Sequence, residues 1–307
     1  MEWYSVARPE GESVGREFFG MTFPRYRPVL SQLGCAEEFV AFGLYRNGSG
    51  GKTAIGLILG SVSGSEPQTG ELLSVYVDPK HRFQGLAKKL LTEFETHMRG
   101  VGGGDVRAVY TTGTSTWRFL ESLLTTQGWS RPIVRMYLFE ASIERLMQAE
   151  WMRWFEHLPA GYSIVGWDAL APGQRRKLSE RISNSTDTVS QDVIPFLHEA
   201  EGMDKAPPVR ELNLACLFQG EVVGWHFAHL INDSTVRFSC SYVFPEARTH
   251  VPMLALWARS FAKMGSHWRR VKWGVYPRHT AMVEFNQRFM FPYVDAETVS
   301  KSIQKKL

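Results

Sequence analysis

Tyr76, Val77, Pro79 and Arg82 recur as Tyr242, Val243, Pro245 and Arg248, each 166 residues further along the chain. A constant offset across a strand-like end, a proline and a trailing arginine marks one structural unit built twice. The surroundings repeat as well. "WYSVA" at Trp3 is answered by "GYSIV" at Gly161. The pair "EEFVAFGLYRN" and "KTAIGLILGSV" is answered by "LACLFQGEVVGWHFAHL", with Gly224 standing where Gly56 stands. At 307 residues the chain is long enough for two ordinary domains. It reads as two tandem copies of one fold, the second a worn copy of the first.

The first copy alternates strand and helix patterns. "WYSVARP" reads as a strand, and a helical, aromatic stretch containing "GREFFGMTFPRYRPVL" follows. A hairpin comes next, joined at "GSGG", and then the β-branched and aromatic run "GELLSVYVDP", which Pro79 stops. Leu86, Leu90, Leu91, Phe94 and Met98 repeat at three-to-four spacing among Lys and Glu, which predicts an amphipathic helix. "DVRAVYTTG" is a further strand, "TSTWRFLESLLTTQGW" a further helix and "PIVRMYLFEA" a closing strand. The expected class is α+β with a mixed sheet. Boundaries follow: a first domain over 1–142, a linker helix over 143–159 ending at Pro159 and Gly161, and a second domain over 160–307.

Composition excludes several classes. With 44% hydrophobic and 21% charged residues, the chain has the makings of a buried core. A net charge of +4 is too mild for a nucleic-acid binder, whereas an anionic small ligand accounts for it. No apolar signal core opens the sequence and no segment is long enough to span a bilayer, so a cytoplasmic protein is expected, without membrane partners. Cys35, Cys216 and Cys240 are odd in number and far apart, as in a reducing compartment. "GSGGKT" (Gly48 to Thr53) imitates a phosphate-binding loop, but the first glycine that motif requires would fall on Arg46. The stretch after it reads as a strand, so a hairpin tip is expected there.

The informative stretch is "VDPKHRFQGLAKKLL", Val77 to Leu91. It places Arg82, Phe83, Gln84, Gly85, Leu86 and Ala87, the pattern Arg-x-x-Gly-x-Ala, between a strand and a helix. Helix N-termini carry unpaired N–H donors and the positive end of the dipole, and so attract phosphate oxygens. Gly85 lets a phosphate approach the backbone, and Arg82, Lys88 and Lys89 add charge. In this pattern and element order the chain resembles the GNAT (Gcn5-related N-acetyltransferase) superfamily over about residues 1–142, and in outline over the rest. The resemblance implies that the loop cradles the pyrophosphate of acetyl-CoA, or another acyl-CoA, as co-substrate. It also implies that the backbone of Val75, Tyr76 and Val77 pairs with the pantetheine arm.

Amine acylation needs the attacking nitrogen deprotonated, so a base is required. Glu71 stands on the strand before the loop, eleven residues ahead of Arg82, where histone-acetylating members of the family carry a basic glutamate. The plain alternative is a solvated carboxylate at a strand start. The family's usual thiolate acid, a tyrosine four residues before a Gly-Phe pair, falls on Leu124 before Gly128-Trp129. The asparagine that often opens that helix falls on Trp117. Either the thiolate leaves unassisted, or Tyr110, Ser115 or Tyr76 donates. Thr112 and Ser115 are candidates for touching the co-substrate.

The second copy has Val251, Pro252 and Met253 where the first has Gly85, Leu86 and Ala87, and Arg237 where the first has Glu71. A β-branched valine in the cradle position opposes phosphate binding, so a non-catalytic domain that shapes the acceptor site is expected. Arg25 and Arg27, in "FPRYRP", could hold a carboxylate or phosphate of the acceptor, or be surface charges. His226 and His229 have no accompanying ligand set, and no metal is expected. The tryptophans, among them Trp151, Trp154 and Trp257, belong to apolar patterns and are expected in cores. The implied activity is direct transfer of a short acyl group to a primary amine, with a small metabolite as acceptor. The alternatives are a longer-chain or carrier-protein thioester donor, and a silent acyl-CoA-binding module.

Overall fold

The computed structural model describes residues 3–9, 16–31, 33, 38–48, 51–63, 68–153, 155, 158–184, 206–248, 250–265 and 267–307. Cys35 and Trp154 lie outside them. The described residues divide into two compact units. One takes those of Met1–Arg135 together with Ser300–Leu307, the other those of Met136–Val299. The boundaries drawn from sequence, at 142 and 160, do not coincide with this division, because the two closing strands change places.

In the first unit, β1 (Trp3–Ala7), β2 (Phe39–Gly48), β3 (Gly51–Ser63) and β4 (Gln68–Val77) form an antiparallel meander. Helix α1 (Leu86–Gly100) crosses over to β5 (Gly103–Thr111), which lies parallel to β4, and α2 (Trp117–Thr126) follows. Gly48 pairs with Gly51, so the false phosphate loop is a hairpin tip and Lys52 lies within a strand. The apolar positions of α1 are buried as their spacing predicts. They meet Ile58, Leu72, Val106 and Ala108 on one face of the sheet. Leu57 and Leu59, alternating with Ile58, point to the other face. There they pack with Leu73 and with Phe19, Met21 and Tyr26 from the aromatic segment before β2.

The chain's last strand, β12 (Ala296–Lys306), completes this unit. It runs antiparallel to β5 from Ser300 opposite Thr111 to Lys306 opposite Asp105. Ile303 joins the core under α1. The ammonium of Lys305 donates to Glu95 at 2.6 Å, and the Trp129 indole donates to the same buried carboxylate at 2.8 Å.

The second unit repeats the plan. Its strands are β6 (Ile133–Ser142), β7 (Tyr162–Gly166), β8 (Leu214–Phe218), β9 (Glu221–Asn232), β10 (Thr235–Val243) and β11 (Arg270–Val275). β7 to β10 form the antiparallel meander, β10 and β11 are parallel, and β6 lies antiparallel to β11. Helix α3 (Pro172–Ser183) covers one face and α4 (His250–Met264) the other, and Thr280–Phe285 forms a short α5. Trp151 and Trp257 lie in its core, as expected. The helix expected over 143–159 is instead two short turns, Ile143–Leu146 and Glu150–Arg153. Ile143, Leu146, Ala149 and Trp151 are all buried. In one straight helix those four would spread around more than half its circumference, so a break is what lets all of them face the core. Among the described residues no helix is long and apolar enough to cross a membrane.

His226 is a core residue of this unit. Its Nδ1 meets the Ser241 hydroxyl at 2.8 Å, and its ring stands edge-on to Phe238 at 4.1 Å. Complete burial lowers its pKa to about 3. The unfolded chain therefore takes up a proton below pH 6.5 that the folded chain refuses until about pH 3. Stability is full above that window and falls through it with acidification, by about 1.4 kcal/mol per pH unit from this residue. Urea midpoints measured from pH 7 to 4.5 should drop accordingly, and the slope should flatten in His226→Gln.

Candidate active site

The site begins where two parallel strands part. β4 and β5 pair only from Gln68 opposite Gly103 to Leu72 opposite Ala108, although both continue for several residues. A register shift in the β3–β4 ladder falls at the same point, leaving Leu73 as the extra residue of a bulge. A bulge bends its strand and ends local pairing. The β4 edge from Leu73 to Tyr76 therefore faces an opening instead of β5. Gly56 is required opposite the bent segment, because a β-carbon there would lie 2.7 Å from the Tyr76 carbonyl oxygen.

β4 ends in a short turn, Pro79–His81, in which the Lys80 N–H donates to the Asp78 carboxylate. Arg82 then folds back. Its Nε donates to the Val77 carbonyl at 2.9 Å, and its guanidinium lies 5.9 Å from the centre of the Tyr76 ring. Sequence reasoning assigned this arginine to phosphate charge alone. In the structure it also clasps the strand end that the separation of β4 and β5 leaves without a partner.

Beyond the clasp the backbone turns left-handed twice, at Phe83 (φ 61°) and Gly85 (φ 75°), and α1 starts at Leu86. The first helical hydrogen bond at this end runs from Lys89 N–H to the Gly85 carbonyl. The N–H groups of Phe83 to Lys88 therefore find no acceptor among the described residues. A β-carbon at Gly85 would meet nothing within 4 Å, so the turn opens onto free space. Gln84 is held from the side by the Tyr4 hydroxyl, which donates to its Oε1 at 3.0 Å. A left-handed turn with converging, unpaired N–H groups at a helix start fits an anionic group.

Glu71 sits one residue before the point of separation, on the face opposite α1 that it shares with Leu73. Its carboxylate accepts from Arg107 at 2.9 Å, directly across the β4–β5 ladder. Sequence reasoning missed Arg107, because only the parallel register makes these two residues neighbours. Tyr110 points into the α1 core, and its hydroxyl donates at 2.5 Å to Glu121, which also holds the Lys301 ammonium at 2.9 Å. Burial, together with this carboxylate, pushes the tyrosine pKa up. A tyrosine so held is a weaker acid than usual, which does not fit the catalytic role considered for it. Lys301 lies 180 residues from Glu121, beyond the reach of any local signal. Leu124 is fully buried. Thr112 and Ser115 lie past the end of β5, half-buried and exposed respectively, and the α2 N-cap, Thr116, makes no side-chain cap bond.

The two acceptor candidates separate. Arg27 Nε donates to the Phe19 carbonyl at 3.0 Å and so fastens its own segment. Arg25 lies over Tyr26 (4.6 Å) and near Phe23 (5.9 Å), and makes no hydrogen bond or ion pair among the described residues.

The second unit keeps the frame without the cradle. β10 and β11 part after Phe238 opposite Trp273, a bulge falls at Ser239, and a β-carbon on Gly224 would lie 2.7 Å from the Tyr242 carbonyl. Arg248 Nε donates to the Val243 carbonyl at 3.3 Å, as Arg82 does to Val77. However, α4 begins at His250, and no left-handed residue precedes it among the described residues of this loop. Glu246 occupies the place of Lys80 and pairs with Arg181.

A sequence model of the acetyltransferase (GNAT) family matches residues 7–124, the segment that holds the parted strands and the turn. Over those residues the chain is similar to the GNAT acetyltransferase family. A comparison with curated protein sequences finds no match. Among solved structures, a tandem GNAT protein from the clavulanic acid biosynthesis pathway shares the fold over 100% of this chain and 98% of its own, with a TM-score of 0.61 and 12% identity. A GCN5-related N-acetyltransferase from Sphaerobacter thermophilus matches 99% of this chain and 95% of its own, at 0.54 and 12%. The glucosamine N-acetyltransferase region of a fungal multi-domain GH3 β-N-acetylglucosaminidase matches 99% of this chain and 38% of that protein, at 0.58 and 12%. These likenesses establish a tandem GNAT fold.

Proposed function

We propose that this GNAT protein transfers an acetyl or other short acyl group from acyl-CoA directly to the primary amine of a small metabolite. The observation that carries the reading is the left-handed turn at Phe83–Gly85, with its unpaired N–H groups, beside the unpaired β4 edge. Bound acyl-CoA supplies the activated thioester carbonyl. The N–H groups from Gln84 to Lys88, with Arg82 and Lys88 near them, hold its pyrophosphate. The β4 backbone from Leu73 to Val77 offers the pantetheine amides the partners that β5 no longer supplies. Thr112 and Ser115 border the same opening.

Glu71 is the proposed base. It takes one proton from the acceptor ammonium; the neutral nitrogen then bonds to the carbonyl carbon, the carbon–sulfur bond breaks, and the second nitrogen proton passes to solvent water. Arg107, bonded to the carboxylate at 2.9 Å, keeps it aimed. The sulfur leaves as thiolate, since Tyr110 is committed to Glu121. Fixing both reactants beside this base supplies much of the acceleration. Arg25, on the face that Glu71 shares, is the proposed contact for an anionic group of the acceptor. The second unit, with no left-handed residue ahead of α4 among the described residues of that loop, is proposed to bind no donor.

Titration calorimetry should find one acetyl-CoA site per chain. A primary-amine library assayed for thiol release should then yield a substrate, whereas binding without release for any amine would favour a silent module. Glu71→Gln should lower kcat about 10²- to 10³-fold, the usual weight of a positioned base. The Kd for acetyl-CoA should stay unchanged. An unaltered kcat would return Glu71 to the role of a surface ion pair.

A further inference from the structure

Two phenylalanines near the cradle serve no core. Phe83 is 87% exposed and Phe119, in the first turn of α2, is 60% exposed, yet their rings meet edge to face with centroids 5.8 Å apart. Phe83 also holds φ at 61°, a region that a bulky side chain enters only at a cost in strain. Strain and exposed apolar surface at one residue, within a turn built for an anion, need a reason outside the fold itself. Lys88, Lys89 and Arg118 are exposed close by in sequence, on the opening turns of α1 and α2.

An aromatic pair flanked by cations is complementary to a flat base carrying phosphates. We propose that Phe83 and Phe119 form the landing for the adenine ring of the donor, and that they make this enzyme choose a free CoA thioester over a carrier-protein thioester. The inference rests on the donor site proposed above. The phosphopantetheine arm is common to both donors. Only free CoA continues past the pyrophosphate into a nucleotide, whereas a carrier arm ends on a serine of its protein and brings no base to stack. The cradle at Gly85 reads the phosphate and the aromatic pair reads what lies beyond it.

Calorimetry with CoA and with 4′-phosphopantetheine tests this without knowledge of the acceptor. Phe119→Ala should weaken CoA binding about tenfold, the weight of one base–aromatic stack. Its effect on phosphopantetheine should be less than about twofold, because that ligand has no base to stack. Phe83→Gly should shift the ratio in the same direction while leaving the melting temperature unchanged or raised, because glycine accepts φ 61° without strain. A purely structural aromatic pair would instead lower the melting temperature and weaken both ligands together. Equal weakening of the two ligands, no change in either, or a wild type that binds both equally would each overturn the donor choice. The cradle would survive those three results. A wild type that binds neither ligand would overturn the donor site and this inference with it.

Discussion

Gly85→Glu removes acetyl-CoA binding: the Kd should rise at least about a hundredfold, for two separable reasons. First, the residue holds φ at 75°, and a side chain there costs on the order of 1 kcal/mol in backbone strain. Second, the new carboxylate enters the space onto which the unpaired N–H groups open, and it can satisfy them in place of a phosphate. Each charge-assisted hydrogen bond forgone is worth about 1.5–3 kcal/mol, and about 1.4 kcal/mol is a factor of ten. Gly85→Asn separates the two effects, because asparagine tolerates the left-handed region and carries no charge. It should retain most of the affinity. Equal loss in both variants would assign the effect to a distorted turn; no loss in either would remove the cradle from the mechanism.

Ending the chain at Val299 should unfold the first unit, although the deleted residues are far in sequence from most of what they stabilise. β12 covers the β5 edge from Asp105 to Thr111, fills the core with Ile303 and pairs Lys305 with the buried Glu95. Losing one large buried aliphatic side chain costs about 2–5 kcal/mol. Breaking a buried ion pair costs up to about 3–5 kcal/mol, less here because Arg99, 3.6 Å from the Glu95 carboxylate, remains. A domain is typically stable by only about 5–15 kcal/mol. The truncated chain should lose acetyl-CoA binding and the cooperative melt of the first unit. Lys305→Met isolates the ion pair and should lower the melting temperature while leaving the chain folded. A truncated protein that still binds acetyl-CoA with native affinity would show that β12 only covers an edge.

The fold was largely legible because its periods are local. The three-to-four spacing of Leu86, Leu90, Leu91, Phe94 and Met98 made α1 visible, and the 166-residue offset announced two copies. The site was legible only at the turn. Gly85 and the order strand–turn–helix mark the left-handed turn, but no local pattern shows that the Arg82 Nε is bonded to the Val77 carbonyl. The recurrence of that bond at Arg248, in a unit without a left-handed turn among its described loop residues, explains why Tyr-Val-x-Pro-x-x-Arg survives in both copies. The four shared residues close a bent strand; the residues of the left-handed turn are those that differ.

By itself, then, the sequence determined most of the elements, the repeat and the strand–turn–helix junction at Gly85, because each depends on residues within about a dozen positions of one another or on a simple recurrence. Tertiary structure alone decided three matters. It gave Glu71 an arginine partner through the parallel register of β4 and β5, and it turned Tyr110 into the core against Glu121. It also closed the first unit with a strand from the far end of the chain. Each of these depends on which strand lies beside which, and strand order is set by packing between distant segments, which no local pattern of side chains encodes.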